Sequence, residues 1–408
     1  MISFTFLNSL GTGAVTNGLF FLTAVGFGFG ASQNFLLGVL VGAVYIVGAL
    51  AASPMVRVLA APRRPTRGSN RTKPTASARA VVITIMLAAA AVCALPWIIA
   101  ERSPADLPPD WVAWMFAAIY LPLTGLLWPI VESYLSGGRS GKALRAATGR
   151  FNVAWSIALV IALWAMAPLL EHDTLIVLLG LGVVHVIAVP VAWAMGRAPG
   201  RHIAEHHETV PQSYPALLRV FRILLPMSYI VLAALAPFLP VALDRLDLPI
   251  AWQPIAASTW MGARVVVFFV FERWHGWQGD RRIPAIASIT LIGGFAAVIL
   301  GPVIPGGLAV LIAGLAVLGA AQAVVYLGAL YYALEVGEGE VNAGGRHEAL
   351  IGVGYTVGPG IGLAISLVVG SSSPAFTPLF LLSVSLIAVG VTWAGFRAGR
   401  AVSRDCDL

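Results

Sequence analysis

The amino-acid sequence predicts an all-α membrane protein with twelve transmembrane helices in two sets of six. Three observations carry that expectation. Charge is too scarce for a water-facing fold, apolar runs of spanning length recur twelve times, and basic residues gather in every second loop. Hydrophobic residues make up 59% of the 408, and charged residues only 11%. Soluble domains carry roughly 25% charged residues, so most of this chain cannot face water.

A helix needs about 20 apolar residues to cross the hydrocarbon core of a bilayer. Runs of this kind cover residues 3–26, 34–58, 80–100, 111–135, 151–170, 174–196, 221–243, 250–271, 283–304, 306–334, 348–370 and 376–397. The ninth and tenth are separated only by "GPVIPGG", Gly301–Gly307, a Pro and Gly cluster suited to a tight turn.

Loop charges test the count, because cytoplasmic loops are enriched in Lys and Arg. The loop after run two holds Arg63, Arg64, Arg67, Arg71, Lys73 and Arg79. That after run four holds Arg139, Lys142, Arg145 and Arg150. The loops after runs six, eight and ten and the tail are also basic, whereas the loops after odd runs hold only Arg102 and Arg245. One missed or invented helix would invert the alternation from that point on. Both termini are therefore expected on the cytoplasmic side of the inner membrane. Basic residues spread over many short loops do not form a nucleic-acid interface. The densest stretch, "APRRPTRGSNRTKPTASAR" at 61–79, reads as a topology signal in contact with anionic lipid. Cys93 and Cys406, one in an apolar run and one in the tail, imply no disulfide framework.

Two junctions resemble each other. One is "VESYLSGGRSGKALRAATGRFNVAW", Val131–Trp155, and the other "LYYALEVGEGEVNAGGRHEALIG", Leu330–Gly352. Each has a Tyr-containing helix end, a Gly-rich polar loop (the second with Glu338 and Glu340) and a Gly-Arg pair opening the next helix. Gly149-Arg150 and Gly345-Arg346 lie 196 residues apart, close to half the chain. The expected organisation is a six-helix bundle over 1–196, a cytoplasmic linker over 197–220 and a second six-helix bundle with a short tail over 221–408. With an even number of helices per half, both halves start on the same side, which makes the repeat parallel.

At this point the chain resembles the major facilitator superfamily of transporters. In that family the loops after helices two and eight carry a pattern of the kind G-x-x-x-D-R-x-G-R-R. Here the first copy, "GALAASPMVRVLAAPRR", has no aspartate, and the second, "FERWHGWQGDRR", keeps the acidic-basic pair Glu272-Arg273 with a shifted glycine. The stretch "GYTVGPGIG", Gly354–Gly362, is similar to a motif of drug/proton antiporters, but it sits in run eleven instead of run five. It is read as a Pro-kinked, Gly-faced helix that packs closely. The resemblance implies a small-solute transporter with two rocking halves. It also implies a cavity lined by helices one, four, seven and ten.

Ionisable side chains inside a bilayer are costly and usually face a partner or a wet cavity. Arg264 lies in "STWMGARVVVFFVFERW" about eight residues from the cytoplasmic end, roughly 12 Å deep. A guanidinium cannot shed its proton. It is expected either to bind an anionic solute or to hold a structural ion pair or hydrogen bond. Glu132, near the end of run four, reads as a latch to Arg150 or Arg145, as a proton site, or as a lipid-facing group. Arg346 and Glu348 open run eleven, where Glu348 suits the helix dipole or pairs with the other half as a gate. His185 is a mid-helix titratable group on run six.

Asn8, Thr12 and Thr16 recur every four residues and share a helix face. By the resemblance, Asn8, Thr12, Tyr120, Trp128, Tyr229, Gln322 and Tyr326 are cavity candidates, against helix–helix hydrogen bonding as the alternative.

An enzyme is not expected. "RHIAEHHE", Arg201–Glu208, resembles one histidine box of the membrane desaturases, which need several, and no nucleotide, nucleophile-elbow or Cys-x-x-Cys motif occurs. No cofactor and no metal are expected. The reading is an alternating-access transporter of a small solute, with an anion as one candidate for it, protons as a candidate coupling ion and the bilayer as its surround. The alternative is a sensor or scaffold that keeps the transporter fold.

Overall fold

The computed structural model describes residues 1–60, 77–102, 108–139, 141–200, 211–274, 276–336 and 341–406. The linker histidines His202, His206 and His207, and Glu338 and Glu340, lie outside the described residues. Within the described residues the regular structure is helical. The crossings are α1 (Ile2–Gly11, Thr12–Asn17 and Leu19–Gly26), α2 (Ala31–Ala60), α3 (Ala78–Ala100), α4 (Asp110–Ser136), α5 (Gly141–Met166) and α6 (Thr174–Trp193). The second set is α7 (Ser213–Leu235), α8 (Thr259–Arg273), α9 (Ile283–Leu300), α10 (Gly307–Glu335), α11 (Val341–Val369) and α12 (Phe376–Cys406).

Among the described residues eleven helical stretches are long and apolar enough to cross a membrane, with Ile250–Arg273, whose longer part is α8, taken as one. The first crossing is broken instead. Thr12–Asn17 form a π turn, in which Gly18 N–H donates to Gly13 O at 3.1 Å and Asn17 Nδ2 to Thr12 O at 3.3 Å. Such wide turns are rare inside α-helices and cluster at functional sites. Gly13 makes room for this one, because a Cβ there would lie 2.9 Å from the backbone of Leu159 on α5.

Two expected boundaries move. α7 begins at Ser213, inside the stretch expected to be linker. Leu217, Leu218, Val220 and Phe221 are buried while Arg219 is exposed, so its arginines interrupt the apolar run without interrupting the helix. Run eight is divided at Ser258, between a short Gln253–Ala257 helix and α8. The Ser258 hydroxyl accepts from Trp164 Nε1 of α5 at 2.9 Å.

The two halves meet along two seams: α2 packs along α11, and α5 along α8. In each case the second helix of one half lies on the fifth of the other. The repeated Gly-Arg pairs sit at the same place in the two seams. A Cβ on Gly149 would lie 3.1 Å from Glu272 of α8, and one on Gly345 would lie 2.9 Å from Ala49 O of α2.

The glycine motif of α11 is a packing device. A Cβ on Gly358 would meet Ala234 N of α7 at 2.7 Å, and Pro359 fills the place where Gly38 of α2 lacks a side chain. Small residues of this kind let helix backbones approach where no hydrophobic effect drives them together.

Candidate functional site

A small cavity lies between the halves. Thr12 and Thr16 reach it from the π-turn segment of α1, and Thr124, Trp128 and Glu132 from successive turns of α4. Phe151 and Trp155 come from α5, Tyr45 from α2, Tyr229 from α7, Tyr326 from α10, and Glu348 and Tyr355 from α11. Both halves thus build the wall. The space open to the centres of water-sized spheres is about 30 Å³, room for roughly two waters.

Glu132 and Glu348 occupy one end of this cavity. Glu132 sits four residues from the end of α4, and Glu348 seven residues into α11. Their carboxyl groups hydrogen-bond each other across the seam. The Tyr45 hydroxyl donates to Glu348 Oε2. Gly344 lets the helices close, since a Cβ there would come within 2.8 Å of Glu132 Oε2. Ligand atoms of Glu132, His347 and Glu348 all lie within 4.8 Å of one another, so the spacing could also hold a cation. The bonds already made by both carboxyls describe a hydrogen-bonded acid pair.

These positions revise the gating expectations. Glu132 does not reach Arg150, which is exposed at the opposite seam beside Gly149. Arg346 is likewise exposed, while Glu348, two residues on, turns inward. Because α11 starts at Val341 and not at 348, Glu348 lies beyond the first turn, where the helix dipole fades.

Arg264 is the most unusual side chain of the interior. It is 1% exposed. Four rings surround its guanidinium, with centroids at 4.3 Å (Trp155), 5.2 Å (Phe268), 5.3 Å (Tyr326) and 5.4 Å (Trp260). No carboxylate among the described residues pairs with it, and its Nε and Nη2 have no hydrogen-bond partner there. Burying a charge costs on the order of several kcal/mol, and each ring returns about 0.5–2 kcal/mol. The rings therefore offset the charge in part and leave the Nε–Nη2 edge unmet. Trp155 and Tyr326 both line the cavity, so Arg264 stands directly behind its wall. Gln322, 0% exposed and one turn from Tyr326, meets the Tyr229 hydroxyl, which also faces Arg264.

Of the cavity candidates, Thr12, Trp128, Tyr229 and Tyr326 do line the space, with Gln322 behind them. Tyr120 and Asn8 do not. Tyr120 points into the first half, where its hydroxyl bonds His185 Nε2 at 2.8 Å and its ring stacks on Phe116 at 5.2 Å. His185 is thereby buried as a partner inside that half and does not face the cavity. Asn8 is buried one turn before the π segment. It lies four α-helical residues before Thr12, one turn beyond the space that Thr12 and Thr16 line.

Sequence reasoning missed Tyr45, Phe151, Trp155, Tyr355 and His347. Tyr45 is the only tyrosine of run two, and that isolation was the available signal. The rings of α5 carried none, since aromatics are ordinary in spanning helices.

No protein-family model matches the chain, and no curated protein does. Solved structures do. The nucleoside transporter NupG is similar at a TM-score of 0.62 and 14% identity, over 97% of this chain and 97% of that one. A bacterial homologue of the human lysosomal transporter Spinster, inward-facing and unoccupied, gives 0.64 and 12%, over 99% and 95%. The human organic anion transporter MFSD10 gives 0.62 and 14%, over 96% and 98%. These likenesses run the length of each chain and join the twelve crossings and the two paired seams in one conclusion: the protein is a multi-pass membrane protein with the fold of the major facilitator superfamily transporters.

Proposed function

We propose that the protein is a secondary transporter that carries a small organic anion across the cytoplasmic membrane by alternating access, linked to protons. The observation that carries this reading is the Glu132–Glu348 contact, one carboxyl from each half at the edge of a cavity that both halves line. Two ionised carboxylates at this separation repel strongly where water is scarce. A proton shared between them removes the repulsion and holds the seam closed; its loss pushes α4 and α11 apart. A protonation step thus biases a two-state rocking motion, which is what coupling to a gradient requires.

Arg264 supports the anion. Its unmet edge presents two donors in the fork that matches a carboxylate, with Tyr229, Tyr326 and Gln322 close by. Thr12 and Trp128 complete the wall on the side of the first half. Likeness to an organic anion transporter fits this reading better than likeness to a nucleoside transporter. The basic loops support a cytoplasmic side for both termini, with Arg150 and Arg346 at that mouth.

The test is flux of organic anions into liposomes holding the purified protein, with and without an inward acid gradient. Accumulation that follows the gradient is expected. Ligand-induced stabilisation without any flux would instead favour a sensor that keeps the fold.

A further inference from the structure

A second, wider cavity lies at the end of the other seam, where α5 begins and α8 and α10 finish. Its wall is built by α5 from one half and by α8, the turn after it and α10 from the other. It offers about 470 Å³ to the centres of water-sized spheres, which suits a small organic molecule. It shares no lining residue with the central cavity.

Among the described residues, the buried polar atoms that this crevice leaves unpaired are neutral. Thr148 and Asn152, four residues apart on α5, share a helix face and line the crevice at 5% and 1% exposure. Thr148 Oγ1 and both amide atoms of Asn152 have no partner among the described residues. Buried polar groups are nearly always satisfied, so a primary amide at this depth points to a ligand. The carboxylates of the wall do not define that ligand. Glu272 lies 3.6 Å from Arg273 Nη1, and Glu335 is engaged as well. Rings supply much of the remaining surface. Phe268 and Trp277 line the crevice at 2% and 3% exposure. Trp277 packs 5.6 Å from Phe271 and 5.0 Å from Tyr331 between ring centroids. A donor and an acceptor held side by side on α5 thus share one space with an aromatic wall.

We propose that the crevice is a second small-molecule site that takes a neutral, planar nitrogen heterocycle whose edge sets a hydrogen-bond donor beside an acceptor, as an adenine-type base does. The Asn152 amide is the complement of that edge. Its oxygen accepts from the exocyclic N–H, and its NH₂ donates to the adjacent ring nitrogen. The Thr148 hydroxyl, one turn earlier, serves a second polar atom of the ligand. The flat faces of the heterocycle rest on the aromatic wall, a contact open to any base. Selectivity therefore comes from the amide, because an analogue without the donor leaves the Asn152 oxygen buried and unmet. The walls belong to different halves, so an occupant binds best when the seam has this width and opposes any rocking that changes it. The site stands on its own residues, whatever the central cavity carries.

The experiment measures equilibrium dialysis of radiolabelled adenine against the purified full chain in detergent. Unlabelled adenine, 6-dimethylaminopurine (the same rings without the donor) and benzoate (a planar anion) serve as competitors. Saturable adenine binding is expected, with 6-dimethylaminopurine at least ~10-fold weaker as a competitor than adenine and benzoate without effect. Asn152→Leu should weaken adenine binding at least ~10-fold. Its amide bonds no described protein group, so the change removes no described internal hydrogen bond and the fold should tolerate it. If that variant does not fold, the comparison of the two bases decides alone. Absence of saturable binding overturns the proposal. Equal competition by the two bases also overturns it, since apolar filling then suffices. So does displacement by benzoate, or a loss caused by Glu132→Gln and not by Asn152→Leu, since either places the base in the central cavity.

Discussion

The Glu132 carboxyl of α4 meets the Glu348 carboxyl of α11 although 216 positions separate them in the chain, and Tyr45 of α2 donates a second hydrogen bond to the pair. Three helices from two halves therefore converge on one shared acid. Glutamine at either position keeps hydrogen bonding but cannot exchange the proton. Glu132→Gln and Glu348→Gln are expected to cut acid-gradient-driven accumulation at least ~10-fold while leaving solute exchange without a gradient in place. Flux in liposomes with and without a pH difference reads both quantities. Gradient-driven accumulation unchanged in both variants would discard the coupling assignment.

Tyr45→Phe removes the donor and nothing else of size. Glu348 then loses one buried partner, at about 1–3 kcal/mol. The variant should unfold at lower denaturant than the wild type, and combining it with Glu348→Gln should cost less than the sum of the two changes, because the residues share one bond.

Arg264 gives a prediction of unusual sign. Its charge is buried with no carboxylate opposite among the described residues, so Arg264→Gln should leave the ligand-free protein as stable as the wild type or more so. It should also lose the thermal stabilisation that a bound anion confers. Arg264→Lys should lose that stabilisation too, since an ammonium neither stacks between rings nor presents a fork. Thermal scans over a panel of organic anions check all three statements. A marked drop in stability of Arg264→Gln would mean that the arginine is a structural tie.

Two glycines of one motif should respond in opposite ways. Gly358→Ala drives a Cβ into the α7 backbone, 2.7 Å from Ala234 N, at about 1–3 kcal/mol. At Gly360 the nearest neighbour of a Cβ is Val39 Cγ2 at 3.8 Å, an ordinary contact. Gly360→Ala should stabilise by up to about 1 kcal/mol through helix propensity. Unfolding midpoints of the two variants in one detergent provide the comparison.

Inside the first half, Tyr120→Phe strips His185 of its only bonded ring nitrogen, since Nδ1 already lacks a partner among the described residues. A stability loss of about 1–3 kcal/mol is expected, with no change in the affinity of the central cavity for solute. A changed affinity would return Tyr120 to the cavity wall.

The number of crossings and the parallel repeat were legible in the sequence because they follow from one-dimensional quantities. The length of an apolar run is set by bilayer thickness, and the side of a loop by its arginines. Glu132, Glu348 and Arg264 stood out in the sequence for the same reason, since charge inside an apolar run is visible without a fold. Their partners were not. Whether Glu132 faces Arg150 or Glu348 depends on which helices lie side by side. That is decided by glycines such as Gly344 and Gly345, which let α11 close on the other half. The π turn at Thr12–Asn17 is likewise a change of pitch that a regular four-residue spacing cannot announce. Tyr45, Trp155 and Asn152 look ordinary in the chain and become informative only when α2, α5 and α8 pack across the seams. Solvent sets the helices along the chain, whereas close contact between backbones sets which side chains meet.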